Sequence, residues 1–294
     1  MGLRVLEPGL YSLLVGRPRP GTRHLGVPVG GPADFSACAL GNALLGNRHD
    51  ALALEVTLLG PTLQATAPVA GVVFGAPFEL SGSRDIGRIF NLAEGEVLKI
   101  GGTAHGCRAY VCVAGGFVGT EILGSDSALE PIRRGDVLKC ALSNLRSRWG
   151  AGKAYSDSVL LRVLPGPQRS WFPDSQFFEQ TYTVAAASNR MGVRMGGIPL
   201  IRPQCELASE PVAPGAIQIT NDGLPVILGV DGQTIGGYPK IAHVIRADID
   251  LLGQLRPAGR VRFVEVIPEE AMAAYQLKRN ELKRHLAMWQ FSSG

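Results

Sequence analysis

The chain has 294 residues and a formal net charge of +4, and only 18% of its residues are charged while 46% are hydrophobic. This length suffices for one large domain or two medium ones with real cores, and the scattered basic residues do not indicate nucleic-acid binding. The sequence contains no apolar stretch as long as a membrane span and no apolar signal-peptide segment in its first ten residues, and its five cysteines lack CxxC spacing, so a reduced cytoplasmic protein is expected.

Frequent turn residues predict a mainly β architecture. Gly 38 and Pro 20 occur without a collagen-like period and so punctuate many short elements. Apolar runs between these turns predict two sets of strands, over 51–58, 69–74, 96–100, 107–113 and 136–142, and over 159–164, 182–187, 216–220, 225–230 and 261–266. A polar stretch over 143–158 separates the sets. We therefore predict two β-rich subdomains, over 1–145 and 146–267, and a helical tail over 268–294.

Two features of the sequence predict tight hairpins. Asn221-Asp222-Gly223 separates two predicted strands, and Asn and Gly accept a positive φ angle at low cost. Residues 94–99 also resemble residues 134–139, because each segment places a glycine turn before an apolar strand. We interpret this echo as a duplicated hairpin, with chance recurrence of a common turn as the alternative.

Three helices are predicted among the strands. Asp34 can cap a helix that runs to about residue 45, because its carboxylate accepts from orphan backbone N–H groups. Pro268 begins the last helix, where proline is tolerated and the following acidic residues are favoured. The helical spacing of apolar residues predicts the remaining one, through Ile241, Val244, Ile245, Ile249 and Leu252. His243, near its start, is interpreted as a helix-surface histidine and not as a metal ligand.

Two polar segments each follow a predicted strand. The nonapeptide 231–239, Asp-Gly-Gln-Thr-Ile-Gly-Gly-Tyr-Pro, follows the run 225–230, and residues 188–192, Ser-Asn-Arg-Met-Gly, follow the run 182–187. Loops that rigid strands hold in place are where functional groups concentrate. We therefore predict that both segments contribute to one binding site.

The residue types in these segments favour recognition of an anionic amide or lactam. Arg190 can hold a carboxylate or phosphate through two parallel hydrogen bonds, and Asn189 and Gln233 each offer a donor and an acceptor to an amide edge. Asp231 can act as a general base or hold Mg²⁺. The structural alternatives are an arginine that ties two loops together, amides that satisfy loop backbone, and an Asx turn at Asp231.

The rest of the nonapeptide fits a ligand wall. Gly236 and Gly237 let backbone N–H groups approach an anion closely, while Thr234 supplies a hydroxyl and Tyr238 a flat surface. The alternative is a plain glycine turn fixed by the following proline. Elsewhere, Glu55 alternates with apolar neighbours on a strand, so it is either a buried acid or a solvent-facing residue.

Several common catalytic motifs are absent from the sequence. The chain contains no GxxxxGK[ST] phosphate loop, no GxGxxG fingerprint after a strand, and no HExxH or paired-cysteine metal pattern. These absences disfavour a stand-alone ATPase or a metalloenzyme, and no residue is predicted as a metal ligand.

With these residues in view, the chain resembles the KipA family, also called the biotin-dependent carboxyltransferase or allophanate-hydrolase subunit 2 family, and its closest type is the C subunit of 5-oxoprolinase. The motifs that carry the resemblance are residues 188–192, 215–218, 231–239 and 247–254. The family implies cyclophilin-like β-barrels, a KipI-like partner subunit, a ring-opening subunit and chemistry on small amides or lactams that uses ATP with Mg²⁺. The biotin-attachment tripeptide Met-Lys-Met is missing, so biotin could come only from another chain.

Two motifs of the amino-terminal half depart from the family pattern. The family's Q-D-x-G-R aligns with residues 15–19, which read Val-Gly-Arg-Pro-Arg, and its G-S-R-S-T aligns with residues 124–128, which read Gly-Ser-Asp-Ser-Ala. Arg19 is retained and is assigned to substrate binding. Asp34, in the matched Gly-Pro-Ala-Asp at 31–34, is assigned a catalytic role, with helix capping as an equal alternative.

The resemblance leads to three functional hypotheses. In the first, the chain acts with its KipI-like partner to activate 5-oxoproline for ATP-dependent ring opening to glutamate, with Asp231, Arg190 and Asp34 as catalytic residues. In the second, it takes part in biotin-dependent carboxyl transfer to urea or a related amide. In the third, it is a non-catalytic antagonist that sequesters a KipI-like protein.

Overall fold

The computed structural model describes residues 1–19, 21–172, 176–202 and 207–291, and the side chains up to residue 289. Cys205 lies outside the described residues. These residues form two compact units. One comprises the described residues of Met1–Pro20, Gly30–Tyr155 and Glu281–Gly294, and the other those of Gly21–Val29 and Ser156–Asn280.

Ten strands and one longer helix make up the described part of the first unit. The strands are β1 (Gly2–Glu7), β2 (Tyr11–Val15), β3 (Ala53–Thr57), β4 (Thr62–Ala65), β5 (Val69–Gly75), β6 (Phe78–Leu80), β7 (Phe90–Leu92), β8 (Val97–Thr103), β9 (Arg108–Val113) and β10 (Val137–Lys139). The helix α1 covers Phe35–Leu44 and begins where predicted, because the Asp34 carboxylate caps it by accepting from the Ala37 backbone N–H.

The strands of the first unit form two five-stranded antiparallel sheets. Their strand orders are β10-β1-β4-β8-β6 and β2-β3-β9-β5-β7. Apolar residues of both sheets build one core, and α1 adds a second apolar cluster on β5 and β9 through residues such as Leu40 and Leu44. Leu286 and Trp289, near the carboxyl end of the chain, pack against that second cluster, with the Trp289 ring edge-on to Phe74.

The repeated turn at residues 94–99 and 134–139 has the same local geometry in both places. Gly95 and Gly135 both adopt positive φ angles, as the turn requires. In each copy an acidic side chain accepts from a backbone N–H three residues earlier, Glu96 from Ala93 and Asp136 from Arg133. The predicted duplicated hairpin is wrong, because β8 pairs with β4 and β6 and β10 pairs with β1, so the two segments share a turn geometry only.

Nine strands and several helices form the described part of the second unit. The strands are β11 (Ser158–Pro165), β12 (Tyr182–Val184), β13 (Gly192–Gly196), β14 (Glu210–Pro211), β15 (Ala216–Ile219), β16 (Pro225–Leu228), β17 (Ile235–Gly236), β18 (Lys240–Val244) and β19 (Arg260–Glu265). The helices are α2 (Gln176–Glu179), α3 (Ile249–Leu252) and α4 (Pro268–Phe291), with 3-10 turns at Arg23–Leu25, Arg169–Trp171 and Arg246–Asp248. The residues of α4 from Glu281 onward belong to the first unit.

Seven of these strands close into a barrel in the order β11-β18-β15-β16-β13-β12-β19. The parallel pairing of β19 with β11 completes the ring. Its interior is filled by side chains such as Ile217, Ile219 and Ile227, while the remaining strands, β14 and β17, pair with each other outside it. The mainly β fold, with a barrel, few helices and a carboxy-terminal helix, is therefore confirmed.

The hairpin predicted at Asn221-Asp222-Gly223 joins β15 and β16, and Gly223 adopts a φ of 77°. The helix predicted over 241–252 is wrong in its first half. Residues 240–244 form β18 between β11 and β15, because the run Ile241 to Ile245 also suits a buried strand, and a helix begins only at Ile249. His243 consequently lies on a barrel strand and not on a helix surface.

The helix α4 begins at Pro268, as predicted, and is the longest helix among the described residues. Glu269 and Glu270 occupy its first turn, where they complement the positive end of the helix dipole. No helix in the described part of the chain combines the length and apolar character needed to cross a membrane.

Candidate functional site

The two polar segments predicted to share a site are joined by an ion pair in the second unit. The segment 188–192 leads into β13, and Asp231 follows the end of β16, the neighbouring barrel strand. The Arg190 Nε lies 2.6 Å from Asp231 Oδ2, and Nη2 lies 3.1 Å from Oδ1. The Asp231 backbone N–H also donates to the Arg190 carbonyl at 3.2 Å. The arginine thus ties the two loops together through a bidentate contact.

The Arg190 and Asp231 side chains differ in solvent exposure. The Arg190 side chain is 5% exposed, whereas the Asp231 side chain is 30% exposed. The cation therefore lies behind the carboxylate, and a ligand that approaches from solvent meets Asp231 first. An anion that binds Arg190 has to share or replace the Asp231 contact.

Asn189 shapes the loop that carries Arg190. Its side-chain oxygen accepts from the backbone N–H groups of Met191 at 2.8 Å and Gly192 at 3.3 Å, which forms an Asx turn. The residue is exposed. Its oxygen therefore supports the backbone, and its amide N–H groups are the part that can face a ligand.

Two glutamine side chains converge on Gly236. The Gln233 Nε2 donates to Gln218 Oε1 at 3.3 Å. A Cβ atom at position 236 would lie 2.7 Å from Gln218 Nε2 and 3.5 Å from Gln233 Nε2. Gly236 has no positive φ angle, so the reason for glycine here is the space that these amides occupy. Gln218 is 1% exposed, and its Nε2 has no hydrogen-bond partner among the described residues.

A lysine and a glutamate continue this cluster. Lys240, opposite Gln218 in the β15–β18 pairing, is buried and forms an ion pair with Glu210 of β14. Gln168 bridges the pair, because its Nε2 donates to Glu210 at 3.2 Å and its Oε1 accepts from the Lys240 backbone N–H at 2.9 Å. The hydrogen bond from Lys240 lowers the pKa of Glu210. The cluster lies outside the barrel, since Gln218 alternates with the core residues Ile217 and Ile219.

The other residues of the nonapeptide hold the loop in shape. Thr234 is buried, and its carbonyl accepts from the Val212 backbone N–H at 2.9 Å. A Cβ at Gly237 would lie 3.2 Å from the Leu207 carbonyl. Tyr238 is partly exposed, and the Arg202 guanidinium lies 5.9 Å from its ring centroid. A flat aromatic surface with a cation above it is thus present beside the loop.

In the first unit, Asp34 belongs to a buried polar network. Besides capping α1, its Oδ2 accepts from the Tyr155 hydroxyl at 3.3 Å, and its backbone N–H donates to the Tyr110 hydroxyl at 2.7 Å. Tyr110 donates in turn to Glu55 at 2.9 Å. Burial together with the negative charges of Glu55 and Asp34 raises the pKa of Tyr110. Asp34 therefore has the structural role of a cap, within a network that fixes its carboxylate.

The sequence left open whether Glu55 is a buried acid or a solvent-facing residue, and the structure shows that it is buried. It is fully enclosed and pairs with Arg108, whose Nε lies 3.2 Å from Glu55 Oε1. It also accepts from the Ala33 backbone N–H at 2.8 Å. The acid thus fixes the entry to α1, and the strand alternation alone could not have revealed its partner.

The two altered motifs of the amino-terminal half meet each other in space. The Asp126 carboxylate accepts from the Arg17 backbone N–H at 2.8 Å, and the Ser127 hydroxyl accepts from the Gly16 backbone N–H at 2.9 Å. A Cβ at position 16 would lie only 2.2 Å from Asp126 Oδ1. Arg19, which is buried, donates to the Ser127 carbonyl at 2.7 Å. The loss of a side chain at position 16 thus makes room for the carboxylate at position 126.

The geometry brings some of the predicted residues together and separates others. In the second unit, Asn189, Arg190 and Asp231 form one group, while Gln233 and Gly236 form another with Gln218. Arg19 and Asp34 belong to separate contacts of the first unit. Sequence reasoning gave no role to Lys240, Glu210 and Gln168, since their partners come from distant strands. No group of three or more His, Cys, Asp or Glu residues able to hold a metal occurs within the described ranges.

Comparison with known proteins identifies a carboxyltransferase domain. The family described as "Carboxyltransferase domain, subdomain A and B" matches residues 25–265, and the chain belongs to this family. It is 31% identical to the C subunit of 5-oxoprolinase from Escherichia coli (strain K12), over 93% of this chain and 94% of that protein. It is 34% identical to the C subunit of 5-oxoprolinase from Haemophilus influenzae, over 90% of each chain.

Solved structures agree with this assignment. The crystal structure of the K. lactis urea amidolyase has a TM-score of 0.87 and 26% identity, and the match covers 96% of this chain and 20% of that one. The crystal structure of TTHA0988 has a TM-score of 0.81 and 34% identity, over 89% of this chain. The chain spans about half the length of TTHA0988, at 55% of it.

Proposed function

We propose that this chain is a 5-oxoprolinase-type subunit that acts with a KipI-like subunit and a ring-opening subunit on the amide of 5-oxoproline. The observations that carry the proposal are the Arg190–Asp231 pair and the Gln218–Gln233 amides of the same unit, in a chain similar to the C subunit of 5-oxoprolinase over nearly its whole length. These groups match a ligand with one lactam and one carboxylate. Amide side chains pair with the lactam edge, and the carboxylate of the ligand shares or replaces the Asp231 contact to the Arg190 guanidinium.

Each of the predicted site residues has a role that follows from its position. Asp231 meets the ligand, and Arg190 positions it from behind. Asn189 keeps the loop in register and presents its amide N–H groups, while Tyr238 and Gly237 line the loop and Thr234 holds its base. In the first unit, Arg19 holds the loop that contains Ser127, and Asp34 holds the start of α1. Any contribution of these two residues to the reaction would be made there.

ATP with Mg²⁺ would supply the free energy that opens the lactam to glutamate. The Asp231 carboxylate is engaged by Arg190, so Mg²⁺ would compete with the arginine for its oxygens. We therefore propose that the nucleotide is held with residues of the partner subunit.

The test is reconstitution of the chain with its partner subunits. ATP hydrolysis and glutamate formation are measured with and without 5-oxoproline. The proposal predicts hydrolysis that depends on 5-oxoproline and yields glutamate. An assembled complex whose ATP hydrolysis ignores 5-oxoproline would contradict it.

Two other functions each have an observation in their favour. The fold similarity to urea amidolyase over 96% of the chain favours carboxyl transfer to urea, with biotin carried by another chain; transfer from a carboxybiotin protein would demonstrate it. The altered contact of Gly16 with Asp126 favours a non-catalytic antagonist of a KipI-like protein. Stable binding to that protein without any substrate-dependent turnover would support this function.

A further inference from the structure

Gln218 carries a buried hydrogen-bond donor that the described part of the fold leaves unused. Its side chain is enclosed at 1% exposure, and its Oε1 accepts from Gln233, but its Nε2 has no partner among the residues that the structure describes. An enclosed amide nitrogen without an acceptor lowers the stability of a protein, so native structures pair such groups with protein, water or ligand. A ligand with an acceptor atom at this position would satisfy the donor and gain binding free energy from it.

The surroundings of this donor define the chemistry of that partner. Lys240, opposite Gln218 across the β15–β18 pairing, adds an ammonium group that Glu210 holds in place. Gln168 fixes both members of that ion pair. A donor amide next to an ammonium group favours an oxygen that carries partial negative charge. The carbonyl oxygen of an amide is such a group, and it accepts in the plane of the amide.

The route to this donor passes Gly236. Gly236 lies close to this donor, since a Cβ built on the glycine would lie 2.7 Å from Gln218 Nε2. The strand β17 that carries Gly236 has two residues, and its strand partner among the described residues is the two-residue β14. Because Gln218 is 1% exposed, access of a ligand to its amide requires a shift of this short strand pair.

We propose that Gln218 Nε2 receives the carbonyl oxygen of a small lactam or amide ligand at Gly236, and so determines the specificity of this site for planar amides. The inference rests on the proposed function, because it names the residue that reads the lactam of 5-oxoproline. Gln233 then serves as the outer partner that keeps the Gln218 amide turned towards the ligand.

The first test is a thermal-unfolding series on the full chain with three probes. 5-Oxoproline has a lactam and a carboxylate, 2-pyrrolidinone has the lactam alone, and proline has the carboxylate and a ring without the carbonyl oxygen. The two lactams are expected to raise the unfolding temperature of the wild type, and proline is not. Absence of a lactam response in the wild type, or an equal response to proline, overturns the proposal.

The second test compares two glutamine substitutions in the same unit. Gln218→Met removes the unused donor while keeping the side-chain length. We expect this variant to unfold at the same temperature as the wild type or higher, and to lose the lactam response. Gln180→Met is the control, because the Gln180 amide donates to the Gln176 and Ile198 carbonyls and accepts from the Ile198 backbone N–H. The control is expected to unfold at a lower temperature and to keep the response.

The outcomes separate this inference from the proposed function. A Gln218→Met variant that keeps the lactam response, or that loses stability as the control does, contradicts the role of Gln218. In the reconstituted assembly, Gln218→Met is expected to raise the KM for 5-oxoproline about tenfold or more, as loss of one well-placed hydrogen bond does. An assembly that never turns over 5-oxoproline refutes the proposed function, while the thermal series on the chain still decides the role of Gln218.

Discussion

The guanidinium of Arg190 holds the carboxylate of Asp231 from behind, with the two N–O contacts at 2.6 and 3.1 Å. The arginine is 5% exposed and the aspartate 30% exposed. The Asp231 carboxylate therefore faces solvent in a fixed orientation, while the Arg190 guanidinium that balances its charge is buried. The pair is therefore both the tie between two loops and an accessible charged group of the candidate site.

Arg190→Lys is expected to weaken both stability and turnover, because an ammonium cannot hold both oxygens of Asp231 in one plane. We expect a loss of about 1–2 kcal/mol in the free energy of unfolding, discounted for the partial exposure of Asp231, and a fall in kcat of the reconstituted assembly. Urea unfolding and steady-state kinetics measure these effects. Arg194→Lys, an exposed arginine on β13, is the matched control. Equal behaviour of the two variants would contradict a special role for Arg190.

Gly236→Ala is expected to impair ligand binding more than Gly237→Ala. The added Cβ at position 236 would lie 2.7 Å from Gln218 Nε2, whereas at position 237 its nearest neighbour is 3.2 Å away. Neither glycine needs a positive φ angle, so the difference between the two variants reports only the space available for the added methyl group. Overpacking of this kind costs about 1–3 kcal/mol. The KM for 5-oxoproline in the assembly is the readout, and a larger effect at position 237 would refute the reasoning.

The residues at positions 16 and 126 are expected to show strong epistasis. Restoring the family aspartate alone, as Gly16→Asp, places a second carboxylate against Asp126, since a Cβ there would already lie 2.2 Å from its Oδ1. The double variant Gly16→Asp with Asp126→Arg restores opposite charges. A double-mutant cycle of urea unfolding should give a favourable coupling of about 0.5–3 kcal/mol. Additive effects would show that the two changes are independent.

Asp34→Ser and Asp34→Ala separate helix capping from a catalytic role. Serine can still accept from the Ala37 backbone N–H, so Asp34→Ser should retain most of the stability, whereas Asp34→Ala should lose about 0.5–2 kcal/mol. Thermal unfolding tests this order, and equal losses would contradict capping as the main structural role. A stable Asp34→Ser variant without turnover in the assembly would then assign the carboxylate to the reaction.

Much of the fold could be predicted from the sequence because its signals are local. The strands, the cap at Asp34, the hairpin at Gly223 and the start of α4 at Pro268 each depend on neighbouring residues. The helix predicted for the run from Ile241 to Ile245 is wrong, because an apolar run that is buried on both sides fits both the helical and the strand period. Only the pairing with β11 and β15 shows that the run is a strand.

The candidate site was predictable only in part. The polar segments after β16 and before β13 indicated Arg190 and Asp231, but their mutual contact depends on the adjacency of two strands. The Lys240–Glu210 pair and the enclosed Gln218 amide arise from long-range pairing across β14, β15, β17 and β18. No spacing rule in the sequence connects these residues, so the structure was needed to reveal the cluster.

Under the proposed function, this chain completes an assembly that opens 5-oxoproline. The most direct measurement is glutamate formation by the reconstituted subunits, with this chain supplied as wild type, supplied as Arg190→Lys, or omitted. We expect ATP-dependent glutamate formation with the wild type, a reduced rate with the variant, and none without the chain. Glutamate formation that proceeds equally without the chain, or ATP hydrolysis that ignores 5-oxoproline in the full assembly, would contradict it.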